Sequence, residues 1–219
     1  MDARTDAAAR LALLADATDT ATVRAIYDEW APTYDDEDVA ALLGQPSPQR
    51  VAERLAALAG PATDVLDAAC GTGLVGTALS ARGFRSVDGL DLSPAMVRRA
   101  RRLRVYHDLG PADLRDGVPG ASEKFGAVTC AGGLAPGHLG PAALTGFLRV
   151  LRPGGVVVAG IAEDTWRMGY ARAIDRLVAD GRAHVVAGAD GPDDAGPGRV
   201  LVLEAREVPR PGRSVAWTS

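Results

Sequence analysis

The sequence predicts an α/β fold: a largely parallel sheet, covered by helices on both faces and closed at one edge by an antiparallel hairpin. Three observations carry this expectation. From residue 64 onward, short apolar runs alternate with helical patterns, the order that builds parallel strands joined by crossover helices. The first of these runs empties into a glycine-rich turn. The last two, AHVVAGA and VLVLEA, have no helix between them, and only antiparallel strands can be joined so directly.

The elements follow in order. Residues 1–20 are rich in alanine and charge and read as a frayed tail or a loose first helix. Within residues 20–44, VRAIYDEWAPTYDDEDVAALLG gives two short helical stretches separated by Pro32, which cannot continue a helix. QPSP is a turn, and VAERLAALAG is a helix stopped by Gly60 and Pro61. The first strand covers Asp64 to Cys70, and GTGLVGTALSARG supplies a turn and a helix. A second strand within SVDGLDLS ends at Asp91. Pro94 starts a helix reaching Arg104. VYHDLGPADL holds a short third strand, and FGAVTCAGGL a fourth that runs into a glycine loop. PAALTGFLRVL is a helix closed by RPGG, VVVAGIA a fifth strand, and TWRMGYARAIDRLVAD one further helix. One domain is expected: residues 1–60 as a helical cap, 61–206 as the sheet core and 207–219 as a tail.

Composition narrows the function classes. At 219 residues the chain can bury a substantial core. Aromatics make up only 5%, so that core is built of Val, Leu and Ala. The net charge of −4 argues against nucleic acid as a partner, since phosphate binding calls for a basic face. The one basic cluster, Arg98, Arg99, Arg101, Arg102 and Arg104, reads as a solvated helix face. The acidic run Asp35, Asp36, Glu37 and Asp38 likewise reads as a solvated turn at a helix start. No apolar run approaches the roughly 20 residues of a membrane span, and MDARTDAAAR lacks the apolar centre of a signal peptide. Two cysteines, Cys70 and Cys130, make no disulfide framework, so a reducing cytoplasm is the expected setting.

The strongest chemical signal lies between the first strand and its helix. Gly71, Gly73 and Gly76 fit G-x-G-x-x-G, where missing Cβ atoms let the backbone turn sharply and approach a ligand. Asp91 ends the next strand about 20 residues on, where a carboxylate can accept both hydroxyls of a ribose. That pairing fits a dinucleotide or S-adenosylmethionine (SAM). Asp67 precedes the glycines; an acid there repels a pyrophosphate but suits the cationic amino group of a methionine moiety, which favours SAM.

VLDAACGTGLVGTAL, VDGLDLSPAMVRRAR and LRPGGVVVAG together resemble the class I SAM-dependent methyltransferases. YDEWAPTYDDED and CAGGLAPGHLG resemble a narrower group, the methyltransferase-like proteins related to the Williams–Beuren region protein, which are similar in turn to ubiquinone and menaquinone biosynthesis methyltransferases. The resemblance implies a Rossmann-like, mostly parallel sheet of seven strands with the last antiparallel, and an N-terminal helical lid. It also implies roles. Asp67, Ala68, Gly71 and Gly73 line the methionine end of SAM, Asp91 holds the ribose, Leu92 and Met96 flank the adenine, and Asp113 and Leu114 sit at its edge. Residues 130–133, Cys130 and Ala131 among them, lie beneath the sulfonium. Tyr27, Trp30 and Tyr34 belong to the lid, where aromatic faces shield the sulfonium by cation–π contact.

The acceptor is expected to be a small molecule. Cys130-Ala131-Gly132-Gly133 carries none of the polar and aromatic groups of N/D-P-P-Y enzymes, and Thr129 rather than proline precedes Cys130. Glu163 and Asp164 follow the fifth strand but no acid follows the fourth, so no metal is expected. His138, in the loop after the fourth strand, is the candidate general base, because imidazole titrates near neutral pH. The expected reaction is direct SN2 displacement on the sulfonium methyl, with alignment and desolvation supplied by the protein. The alternative is a SAM-binding protein of this fold with a structural or cyclising role.

Overall fold

Seven strands make one sheet, and the sequence of each explains its place. β1 (Val65–Ala68), β2 (Val87–Asp91), β4 (Phe125–Cys130) and β5 (Leu151–Ile161) are small or branched and largely buried, β3 (Asp108–Pro111) is a partly exposed edge, and β6 (Ala183–Val185) and β7 (Arg199–Ala205) complete the other edge. Their order is β3-β2-β1-β4-β5-β7-β6. All pairs are parallel except those of β7, which runs antiparallel to β5 and β6. The computed structural model describes residues 3–36, 39–135, 137–186 and 197–207; Glu37, Asp38 and the expected tail beyond residue 207 lie outside the described residues.

Helices cover both faces: α1 (Ala3–Asp16), α2 (Thr20–Trp30), α3 (Val39–Leu42), α4 (Pro48–Ala56), α5 (Leu74–Ala81), α6 (Pro94–Arg102), α7 (Ala143–Val150), the single turn α8 (Glu163–Thr165) and α9 (Ala171–Ala179). Strand alternation divides the core. Leu66, Val128 and Val157 join Phe147 and Ile174 on one face, whereas Val65, Ala127 and Val158 join Leu55, Leu79 and Phe84 on the other. Strand order reverses between β1 and β4. The crevice beyond the carboxyl ends of those strands is where such sheets hold ligands.

Several local expectations change. α1 is a docked helix: Ala7 and Leu14 are buried with Trp30 and Val23 in an apolar cluster separate from the two sheet faces. RPGG does not end a helix ahead of the strand but lies inside β5, bulging where Leu151 pairs with Phe125 and Val156 with Ala127. TWRMGYARAIDRLVAD is not continuous, because Gly169 at φ 108 breaks the chain between α8 and α9. Cys70 and Cys130, both buried and free, lie at the ends of neighbouring strands. The Asp67–Thr129 register sets Cys130 across from Ala68, so Cys70 falls past it.

The two charge runs are also more than solvated surface. Arg99 donates to the carbonyls of Ala31 (2.7 Å) and Pro32 and to Asp35 Oδ2 (2.8 Å). The other Asp35 oxygen accepts from Thr72 Oγ1 at 2.5 Å. Asp28 Oδ1 accepts from Ser93 Oγ (2.6 Å) and from the Ala95 N–H (2.9 Å) at the start of α6. An exposed ion pair alone contributes about 0–1 kcal/mol; here the carbonyl and helix-end contacts add directional bonds, so α2 and its following turn are fixed on α6. Asp28→Ala removes the contact to the α6 N-terminus and is expected to cost about 1 kcal/mol. Trypsin should then cut at exposed Arg24 faster than in the parent while circular dichroism keeps its α/β signature. Unchanged cleavage would show that Asp28 does not hold the segment.

Candidate functional site

The site is built on one carboxylate. β1 leaves the sheet through Ala69 (φ 57) and Gly71 (φ 55), a left-handed path that glycine adopts freely and alanine at some cost. That path presents the Gly71 N–H to Asp91 Oδ2 at 2.8 Å. Asp91 Oδ1 accepts the Ser93 N–H, also at 2.8 Å. Ser93 in turn caps α6 through Met96 N (3.1 Å). Burial pushes the Asp91 carboxyl up to about 6, against the pull of these two N–H donors.

Around it opens a cleft of about 650 Å³ including its mouth. Of the residues expected at a SAM site, Tyr27, Tyr34, Gly71, Asp91, Leu92, Met96, Asp113, Leu114, Ala131 and His138 line it. The fit is testable at its glycines: a Cβ built on Gly71 or Gly132 meets nothing within 4 Å, so both open onto free space. Asp113, also in the lining, is tied to Arg115 (3.2 Å) and accepts from Thr20 Oγ1 of α2 (3.1 Å). Its carboxyl is held below the usual range: burial opposes the shift, and the hydrogen bonds and charge of Arg115 outweigh it.

Five expected residues stand elsewhere. Trp30 is fully buried between α1 and α2, stacked on Tyr27 at 6.0 Å and edge-on to Tyr34 at 4.9 Å; it supports the cleft aromatics from behind. Ala68 is a buried strand residue, and its neighbour Ala69 reaches the cleft instead. Gly73 precedes α5 and faces Ala100, Leu103 and Tyr106. Cys130 is fully buried, its thiol pushed up to about 12 by burial and the nearby Asp67 charge, and Ala131, Gly132 and Gly133 form the floor. Asp67 is fully buried and turned away from the cleft, accepting from Tyr106 Oη at 2.7 Å and Thr129 Oγ1 at 3.0 Å.

At the far wall the lid meets the loop after β4. The Tyr27 hydroxyl and His138 Nε2 share a hydrogen bond, with ring centroids 5.4 Å apart. Burial pushes the Tyr27 and Tyr34 phenols well above their ordinary range, so both stay neutral donors. Sequence reasoning placed Gly132 and Gly133 within the expected 130–133 segment but missed Val23, Ala69, Ala112, Arg115, Gly137 and Leu139 in the lining. Val23 had a readable signal, since it lies one helical turn before Tyr27 on the same face. Ala69 had none, because its left-handed φ is invisible in the sequence. Among the described residues no group of three or more His, Cys, Asp or Glu side chains could hold a metal ion.

With this geometry in view, comparisons with known proteins are informative. A family described as "Methyltransferase domain" matches residues 65–155, from β1 into β5. Human methyltransferase-like protein 27 is 37% identical over 153 residues, covering 68% of this chain and 61% of that protein. A demethylmenaquinone methyltransferase from Renibacterium salmoninarum is 34% identical, covering 66% of this chain and 60% of that protein. The chain thus spans about three fifths of the length of these curated relatives. The SAM-bound magnesium protoporphyrin IX methyltransferase of Synechocystis superposes with a TM-score of 0.62 at 21% identity, covering 87% of this chain and 99% of that one, a likeness of fold. The strand order, the Gly71–Asp91 unit and these matches together place residues 65–155 among the class I methyltransferase domains, whose cofactor is S-adenosylmethionine.

Proposed function

We propose that this chain transfers the methyl group of SAM to a small-molecule nucleophile. The observation that carries the reading is the cleft itself. One wall holds the Gly71–Asp91 unit and the other holds His138 and Tyr27, so a cofactor seat and an acid–base group face the same space. When bound, SAM supplies an electrophilic methyl group open to in-line displacement.

The protein's own residues divide the remaining work. Asp91 retains lone pairs beyond its two backbone bonds and accepts the ribose hydroxyls. Leu92, Met96, Asp113 and Leu114 border the adenine, with Ala112 beside them. Gly71 and the Ala131–Gly133 floor leave room for the amino-acid end and the sulfonium. Tyr27 and Tyr34 close over the seat, exclude water and present aromatic faces to a cation. His138 Nε2 accepts the acceptor's proton when the nucleophile is protonated. The relatives named for demethylmenaquinone support a small-molecule acceptor, as does a cleft enclosed by a lid rather than opened as a groove.

Asp91→Ala should weaken S-adenosylhomocysteine binding at least tenfold by calorimetry, since a hydrogen bond to a charged group contributes about 1.5–3 kcal/mol. Equal affinity in the variant would remove Asp91 from the ribose site. A pH dependence follows from the same group. Asp91 is ionised above about 6 and neutral below it, and the neutral acid is the weaker acceptor. Affinity for S-adenosylhomocysteine should therefore fall as the pH drops from about 8 to about 5, whereas a flat titration would contradict that role. His138→Ala should slow methyl transfer to a panel of hydroxylated and aminated small molecules by about 10²-fold or more, with cofactor affinity close to that of the parent. An unaltered rate and pH profile would leave His138 with the Tyr27 contact alone.

A further inference from the structure

Three glycines that differ in element and purpose face one side chain. A Cβ built on Gly76 would lie 2.5 Å from Tyr106 Oη, one on Gly89 would lie 2.9 Å from Tyr106 Cε1, and one on Gly73 would lie 3.2 Å from Tyr106 Cε2. The separations at Gly76 and Gly89 are far inside van der Waals contact, so the ring fits because those two positions lack a side chain, while Gly73, at φ 100, lies close beside it. Gly73 and Gly76 belong to the glycine fingerprint, and Gly89 lies in the middle of β2. The third fingerprint glycine, Gly76, therefore makes room for a tyrosine rather than for a ligand, and the second, Gly73, packs beside the same ring.

We propose that Tyr106 is a positioning residue for the amino-acid end of the cofactor: seated in the slot beside Gly73, Gly76 and Gly89, it donates to the Asp67 carboxyl and fixes it behind the glycine turn. The inference rests on the reading of the cleft as a SAM site. Both Asp67 oxygens are held by hydroxyl donors, Tyr106 at 2.7 Å and Thr129 at 3.0 Å. The titratable groups facing Asp67 are Tyr106, Asp91, Cys70 and Cys130, and none of these is a cation. Burial pushes Asp67 up to about 7, opposed by the Tyr106 and Thr129 hydrogen bonds. The two hydroxyls, together with the Gly76 N–H, pull the carboxyl back toward its charged form against burial and the nearby Asp91 charge. Asp67 does not touch the cleft, but Ala69 and Gly71, two and four residues further along the chain, do. Its charge acts on a bound ammonium through that thin layer of backbone, where the low local dielectric preserves the attraction.

The test uses Tyr106→Phe, which keeps the ring in its slot and deletes the hydroxyl, and two probes. S-adenosylhomocysteine carries the amino-acid end; methylthioadenosine has the same nucleoside and lacks it. The variant should bind S-adenosylhomocysteine about tenfold more weakly, the scale of one lost hydrogen bond to a charge, and bind methylthioadenosine as the parent does. Thr129→Val, which removes the second hydroxyl at similar volume, should show the same selective loss and serves as the second variant if the first does not fold. A purely structural role would weaken both probes together or neither, and either outcome overturns the proposal. Failure of the parent protein to bind either probe would instead sink the SAM reading itself, and this inference with it.

Discussion

The Asp91 carboxylate takes the Gly71 N–H on one oxygen and the Ser93 N–H on the other, and a continuous path of hydrogen bonds runs outward from it. Ser93 caps α6 and donates to Asp28 of α2, so the turn after β1, the end of β2, the start of α6 and the N-terminal lid are joined through one side chain. Each link makes the next one directional. The turn needs a left-handed Gly71 to aim its N–H, the helix needs Ser93 in extended conformation to act as a cap, and the lid needs that same hydroxyl to anchor Asp28. The glycine turn and the N-terminal helices are therefore parts of one hydrogen-bonded unit, and the order of the cleft is inseparable from the docking of α2.

The sheet was legible because its physics is local. Buried parallel strands read as apolar runs, and glycine or proline punctuates them, so the ends of β2 and the start of α6 fall where Asp91 and Pro94 place them. The hairpin of β6 and β7 followed from the missing crossover helix. The lid's attachment was not legible. Arg99 and Asp35 sit inside charge runs that look solvated, and what removes them from solvent is a partner 64 positions away. Nothing in the run distinguishes Arg99 from Arg98 or Arg101. The same holds for Tyr106, whose meaning depends on three glycines brought together only by the fold. The fingerprint was read correctly as a turn, but its third glycine, Gly76, answers to packing against Tyr106.

Two buried acids with raised pKa values lie side by side near the switch point of the sheet, Asp67 at about 7 and Asp91 at about 6. For each, the folded value exceeds the unfolded one, so the fold prefers the neutral acid. Between about pH 4 and their folded pKa values the folded chain binds more protons than the unfolded one, and stability declines as pH rises through that window. Asp64 and Asp113 behave in the opposite way, held low chiefly by hydrogen bonds and nearby arginines; they favour the fold at neutral pH and lose that contribution as the pH falls through their own lower range.

The contrast separates charges that serve the scaffold from charges that serve the cleft. Asp64, with Arg152 at 2.6 Å and Ser86 at 2.7 Å, carries its compensation within the chain. Among the described residues, Asp67 and Asp91 are held by neutral hydroxyl and backbone N–H donors, which position a carboxylate but do not cancel its charge. In the proposed SAM reading a cation in the cleft balances that charge, and the cost of burying the carboxylates is offset in the complex. On that reading the ammonium and sulfonium of SAM meet Asp91 in the cleft and Asp67 behind the glycine turn, whereas Asp113 is already paired with Arg115. Charge balance then adds to the outline of the glycine turn in favouring a cationic nucleoside over an anionic one of similar shape.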